Sequence, residues 1–408
     1  MDQIDPRSNY CGRHILAEGV ATETDTWRSG INNNVMVFGP TGAGKTRHYV
    51  KPNLLNGHES VIVLDTKGSL CEELREPLER RGYRVKNIDF TDLTAGSGYN
   101  PLDYVRYEPE TGRYSEQDIL SLSGCLVDKF LSKDPYWDNA AQQYLEILIG
   151  YVLEALPREE HTMDYVARLF NLMGTPVFDA LMRELEALKP ESTVSRRYRA
   201  LETIRVAEKM DASIRGVLST NLDPLTFDNA LALYRKPDRI RFAELGRQRT
   251  AVFLTISDTD RSMDKLAGAF VTQALQCLCR SADKDWPEHR LPIPVRFYLD
   301  DFATNLRIPD FDKIISVVRS REIYVSVILQ SITQLDALYG DACAKTILNN
   351  CDQLLYLGGQ DLDTATLISE KANKPRFSIL SMSVDAAYLF IRGQTPRLVR
   401  KYGGPETA

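Results

Sequence analysis

The sequence has no CxxC pair, no apolar run long enough for a membrane helix, no repeat or low-complexity tract, and no surplus of positive charge. Each absence excludes something. Seven cysteines (Cys11, Cys71, Cys125, Cys277, Cys279, Cys343, Cys351) are an odd number in a long chain. The one close pair, Cys277 and Cys279, points to different faces of an expected helix and has no histidine nearby, so a shared metal is not expected. Buried free thiols in a reducing, cytosolic compartment are the expectation. A membrane helix needs about 20 mostly apolar residues, and the best stretch, Ile147–Leu153, is cut off by Glu146 and Glu154. Met1–Tyr10 is polar and lacks the apolar region of a secretory signal. With 50 Lys+Arg against 56 Asp+Glu, the net charge of −6 argues against coating nucleic acid by bulk charge. It leaves room for a local basic pore or groove.

What is present is an ordinary globular composition, 43% hydrophobic and 26% charged over 408 residues. That excludes disorder, a collagen-like repeat and a disulfide scaffold, and the length suggests two or three domains. From Val35 to Phe90, short β-rich runs (Val35–Phe38, Val61–Leu64, Arg84–Phe90) alternate with amphipathic stretches, the pattern of a parallel sheet covered on both faces. From about Ser115 to Leu233 the spacing is helical: Asp118–Phe130, Ala140–Leu156, Met163–Asn171, Pro176–Leu188, Arg196–Lys209 and Ile214–Leu222. The α/β rhythm resumes with strands at Ala251–Ile256, Val295–Leu299, Ile323–Leu329, Gln353–Leu357 and Ala387–Arg392, and a helix near Lys265–Ala282. The simplest architecture is one α/β domain (residues 1–110 and 236–408) interrupted by an all-helical one (residues 111–235).

Gly39-Pro40-Thr41-Gly42-Ala43-Gly44-Lys45-Thr46 matches G-x-x-x-x-G-K-[ST] in full, after an apolar strand and before an expected helix. Glycines let backbone N–H groups turn inward as an anion nest, and the helix start adds partial positive charge. Lys45 can reach the β- and γ-phosphates of ATP, and the Thr46 hydroxyl can bind Mg2+. An acidic residue at the end of a neighbouring strand must complete the metal site. Asp300 fits best, with Asp301 placed to orient or deprotonate the attacking water. Asp65, also at a strand end, is the rival. Arg319, with Arg321 as second choice, is a candidate for neutralising charge on a transferring phosphoryl from an adjacent subunit. Gln330, at another strand tip, is placed to sense the γ-phosphate through water.

These motifs, with Asp65-Thr66-Lys67-Gly68, Tyr99-Asn100-Pro101-Leu102, Leu299-Asp300-Asp301-Phe302 and Ile328-Leu329-Gln330-Ser331, occur in the order seen in VirD4/TraG-type coupling proteins. Those are the ATPases of conjugation and type IV secretion. Asp134-Pro135-Tyr136-Trp137-Asp138 resembles the family's Gram-positive conjugative-element branch. The resemblance spans roughly Asn33 to Lys401. It implies a RecA-like motor domain with an inserted all-α domain, assembled as a homo-hexamer. It also implies recruitment of relaxase-bound single-stranded DNA, or a protein substrate, to a secretion channel at the cytoplasmic face of the bacterial inner membrane. By position, Lys45 and Thr46 take phosphate and Mg2+, Asp300 the metal, Asp301 the role of general base, Arg319 that of arginine finger and Gln330 that of the motif III glutamine.

The chain departs from its relatives in four places. Many have Glu where Asp301 stands, so the shorter side chain is expected to need an extra water to reach the nucleophile. Their DPKGE-like stretch reads Asp65-Thr66-Lys67-Gly68-Ser69. They carry N-terminal membrane helices, so attachment is expected through segments outside this chain or through a partner. The stretch from Lys374 to the last expected strand is short for the family, as if a loop had been trimmed. Arg196-Arg197-Tyr198-Arg199, Arg205 and Lys209 form a basic stretch diluted by Glu202 and Glu208, read as a solvated amphipathic face. Alternative readings are another RecA-like hexameric DNA translocase, a nucleotide-binding adaptor that docks relaxase without efficient hydrolysis, and a small-molecule kinase.

Overall fold

The computed structural model of the protein describes residues 12–127, 134–205, 207–302 and 306–403. Cys11 and the last residues of the helix expected over Asp118–Phe130 lie outside the described residues. The strands, in chain order, begin with the antiparallel hairpin β1 (Arg13–Ala17) and β2 (Val20–Glu23). There follow β3 (Val35–Phe38), β4 (Ser60–Asp65), β5 (Arg84–Asp89) and the two-residue pair β6 (Tyr107–Glu108) and β7 (Arg113–Tyr114). The remaining strands are β8 (Thr250–Thr255), β9 (Val295–Leu299), β10 (Ile323–Leu329), β11 (Gln353–Tyr356), β12 (Ala386–Ile391) and β13 (Arg397–Arg400).

Nine of them form one sheet in the order β13-β12-β11-β3-β10-β9-β4-β8-β5. The six from β11 to β8 run parallel to their neighbours, and every residue in them is buried. Their continuous Val/Ile/Leu/Phe runs are what two covered faces require. β12 and β13 turn back antiparallel. β13 is mostly exposed and bracketed by Arg397 and Arg400, and charge on an edge strand discourages pairing with another chain.

Contacts divide the chain into two compact units. One comprises Met1–Asn87, Arg241–Thr259 and Leu275–Ala408, and the other Ile88–Ile240 and Asp260–Ala274. The first carries the sheet and the second is mostly helical, so the fold is α/β: a mostly parallel nine-stranded sheet with an added helical unit. In the helical unit the longest helix, Pro135–Ala155, is buried from Ala140 to Leu153 except for Gln143. The apolar stretch that came closest to a membrane span is therefore an interior helix, apolar on all sides because protein surrounds it. Glu146 within it is paired with Arg197. The helix starts five residues before the expected Ala140, because Asp134 caps it (Tyr136 N–H to Oδ1, 3.1 Å) and Pro135 occupies its first turn. No helix among the described residues is long and apolar enough to cross a membrane.

Candidate nucleotide site

β3 ends at Phe38, and the chain turns at once into Gly39–Thr46. The Gly39 N–H bonds to the Leu329 carbonyl at 3.0 Å and the Leu357 N–H to the Phe38 carbonyl at 2.8 Å, so β10 and β11 grip the loop's entrance. Pro40, Thr41 and Gly42 form an exposed apex, whereas Lys45 is buried. Gly42 and Gly44 have φ of +82° and +84°. At Gly44 a Cβ would also come within 2.1 Å of His48 Cδ2, so the position admits only glycine. Beyond Lys45 the chain winds a wide π turn over Thr46–Val50, with the Lys51 N–H reaching the Thr46 carbonyl, and continues as helix Lys51–Asn56. Pro52 has no N–H to close a normal turn there. Tyr49, Val50 and Leu54 anchor this helix in the core.

The carboxylates arrive from β9, separated from β3 by β10 alone. Thr46 Oγ1 donates to Asp300 Oδ2 at 2.7 Å. Lys45 Nζ sits between the Gly39 carbonyl at 3.0 Å and Asp301 Oδ1 at 3.2 Å. Burial pushes the Asp300 carboxyl up to about 6. The Thr46 hydroxyl and Lys45 pull it down, and the neighbouring Asp301 charge adds to the rise. Asp301 has φ +47°, uncommon for a non-glycine residue, and strain of this kind concentrates at functional sites. Two hard oxygens 2.7 Å apart match one edge of a Mg2+ octahedron, about 2.9 Å for 2.0–2.1 Å bonds. Among the described residues no cluster of three His, Cys, Asp or Glu could hold a metal. A Mg2+ on these two oxygens would take its other ligands from phosphate and water, as that ion commonly does.

The other candidates fall in different places. Asp65 ends β4, beyond β9, and its carboxylate accepts from the backbone N–H groups of Lys67, Leu70 and Cys71 at 3.2, 2.7 and 3.3 Å. It serves the start of helix Ser69–Arg80. The register pairs Leu329 with Phe38, so Gln330 lies beside Gly39, its N–H bonded to Gln334 Oε1 at 2.9 Å. Arg319 and Arg321 precede β10, at the opposite end of the sheet, roughly 20 Å from the loop by strand rise. Arg319 reaches the Thr26 carbonyl at 3.3 Å. Arg321 is held by Asp283 through bonds of 2.8 and 2.9 Å. In the helical unit the basic stretch is engaged with acids: Arg196 with Glu116, Arg197 with Glu146, Arg199 with Glu186 and Arg205 with Asp179.

One cation at the loop carries no signal in the sequence. Lys401 Nζ donates to the Ala43 carbonyl at 3.1 Å, although more than 350 residues separate the two and no motif spacing links them.

A family model described as Type IV secretory system Conjugative DNA transfer matches residues 7–386. Protein VirD4 of Agrobacterium fabrum (strain C58) is 25% identical over 372 residues, covering 89% of this chain and 52% of that protein. Conjugal transfer protein TraG of Escherichia coli is 31% identical over 126 residues, 30% of this chain and 19% of that protein. The chain spans about half the length of the VirD4 relatives it matches. Among solved structures, the bacterial conjugative coupling protein TrwBdeltaN70 with sulphate gives a TM-score of 0.69 at 18% identity, covering 95% of this chain and 89% of that one. TrwB in complex with ADP and Mg2+ gives 0.64 at 18% identity, with the same coverage.

Proposed function

The chain belongs to the Type IV secretory system conjugative DNA-transfer family, and on that premise we propose that it is an ATP-hydrolysing coupling protein. In this reading it recruits relaxase-bound single-stranded DNA, or a protein substrate, to a secretion channel. The observation that carries the reading is the convergence of Thr46 on Asp300 and of Lys45 on Asp301 at the mouth of a glycine-rich loop.

ATP with Mg2+, when bound, supplies the transferable phosphoryl group and neutralises part of its charge. Thr46 and Asp300 are the residues that would hold the ion. The backbone N–H groups of Gly44–Thr46, at the start of the helix, would cradle phosphate, whereas the Ala43 N–H is engaged by the Pro40 carbonyl at 3.0 Å. Lys45, which touches Asp301 across 3.2 Å, is within reach of phosphate oxygens. As its charge is drawn to phosphate, the Asp301 carboxylate is released to take a proton from water. Gln330, beside Gly39, is placed to register the phosphate. Arg319, at the far end of β10, cannot serve its own loop. It would act on a neighbouring copy in a homo-hexameric ring, at the cytoplasmic face of a membrane reached through other segments or a partner.

The test is the rate of ATP hydrolysis against protein concentration, with and without single-stranded DNA. The expected result is a superlinear rise, stimulation by DNA, and loss in Lys45→Ala. Hydrolysis that survives Lys45→Ala would overturn the assignment of the site.

A further inference from the structure

We propose that Lys401 is a positioning residue for the nucleotide site, fixing the Ala43–Gly44 peptide so that its N–H faces bound phosphate. This rests on the P-loop reading of Gly39–Thr46.

Three successive residues strap this part of the chain together. The Arg400 carbonyl accepts the Glu18 N–H at 3.0 Å, from the turn between β1 and β2. Lys401 Nζ donates to the Ala43 carbonyl at 3.1 Å. The Tyr402 carbonyl is 2.7 Å from His48 Nδ1, and a carbonyl can only accept, so His48 carries its proton there. The Lys401 N–H is itself anchored to the Asp385 carbonyl at 2.8 Å. Lys401 is only 9% exposed, an unusual position for a lysine. Burial lowers its pKa and the Asp385 charge opposes that.

The consequence follows from peptide geometry. In a planar trans peptide the C=O and N–H point in opposite directions. Holding the Ala43 oxygen toward Lys401 therefore turns the Gly44 N–H the other way. An anion nest needs such successive N–H groups to converge. Gly44, with φ +84° and no Cβ, has a backbone that can rotate away unless its peptide is held. An ammonium on the carbonyl also polarises the amide and strengthens its N–H as a donor. Lys45 acts from the phosphate side of the loop, and Lys401 from the opposite side of one peptide.

Binding of a fluorescent ADP tests this without requiring hydrolysis. Lys401→Met, which keeps the aliphatic stem, is expected to bind about 10-fold more weakly, the scale of one charge-assisted hydrogen bond. Lys401→Arg should bind like wild type, and Lys401→Gln, with a neutral donor, should fall between. The melting temperature of the nucleotide-free protein should stay within a few degrees in all three. Unchanged affinity in Lys401→Met, or weakening by the same factor in all three variants, would overturn the proposal. Failure of the wild type to bind ADP would overturn the nucleotide reading itself.

Discussion

Removing the negative charge of Glu59 should destabilise the sheet-bearing unit by about 3–5 kcal/mol, the usual effect of leaving a buried ion without its partner. Arg296, on β9 four residues before Asp300, has no solvent exposure. Its Nε lies 3.0 and 2.9 Å from the two carboxylate oxygens of Glu59, just before β4. Its Nη1 donates to the Asn33 carbonyl at 2.9 Å, just before β3, and to Ser326 Oγ on β10 at 3.3 Å. One guanidinium thus ties four adjacent strands, and Ser326 carries the network on to Tyr49 OH of the P-loop helix at 2.7 Å. Burial would favour a neutral guanidine, but the Glu59 carboxylate holds Arg296 cationic. Glu59→Gln keeps the shape and leaves that cation uncompensated. Glu59→Gln/Arg296→Met removes both charges and should recover most of the loss. About 1–3 kcal/mol should remain, for the polar atoms left at Asn33 and Ser326. Urea unfolding read by tryptophan fluorescence measures both, in a Trp137→Phe background, since Trp27 and Trp286 belong to the same unit as the pair. A loss below about 1 kcal/mol in Glu59→Gln, or a double variant no more stable than it, would refute the reasoning.

Gly44→Ala should abolish ADP binding, because its Cβ would meet His48 Cδ2 at 2.1 Å; titration calorimetry reads the loss, and normal affinity would contradict the loop geometry. Asp65→Ala should cost about 1–2 kcal/mol of stability through its lost backbone bonds and leave hydrolysis standing, whereas Asp300→Asn should abolish hydrolysis with the fold intact. His14 is buried against Tyr49 OH at 2.9 Å, and burial together with the Arg296 charge holds its pKa well below 6.5. The unfolded chain therefore binds a proton that the folded one refuses: this contribution is complete above pH 6.5 and is lost below it, by up to about 1.4 kcal/mol per pH unit. Denaturation midpoints at pH 7.5, 6.5 and 5.5 should fall less steeply in His14→Phe. Arg321→Ala should lose about 1 kcal/mol at most with its half-exposed pair to Asp283 and keep its activity. Arg319→Ala should fold normally and hydrolyse slowly, and mixing it with Lys45→Ala should restore some turnover.

Where composition dictated geometry, the sequence was readable. Val35–Phe38, Val295–Leu299, Ile323–Leu329 and Pro176–Leu188 have the expected bounds, because apolar runs must be buried and Gly, Pro and Asp end them. The glycine-rich loop was legible for the same reason: its backbone dihedrals require its residues. The choice between Asp300 and Asp65 was not settled by pattern, since both end apolar strands; strand order places one a single strand from the loop's neighbour and gives the other to a helix start. β1, β2 and β13 lacked a signal because they are short, half-polar and stabilised by distant segments. Lys401 and Arg296 were illegible altogether, as both depend on partners hundreds of residues away in the chain.

The position of β3 sets a timetable for synthesis. Its two neighbours are β10 and β11, and the first of these begins roughly 290 residues later. At a translation rate of 5–20 residues per second, β3 waits about 15–60 s for a partner. For that interval an apolar strand and a cationic loop are exposed on the ribosome. Emerging chains of this protein should therefore be prominent clients of holdase chaperones, and codon changes that slow translation between β5 and β10 should lower its yield without altering a single residue.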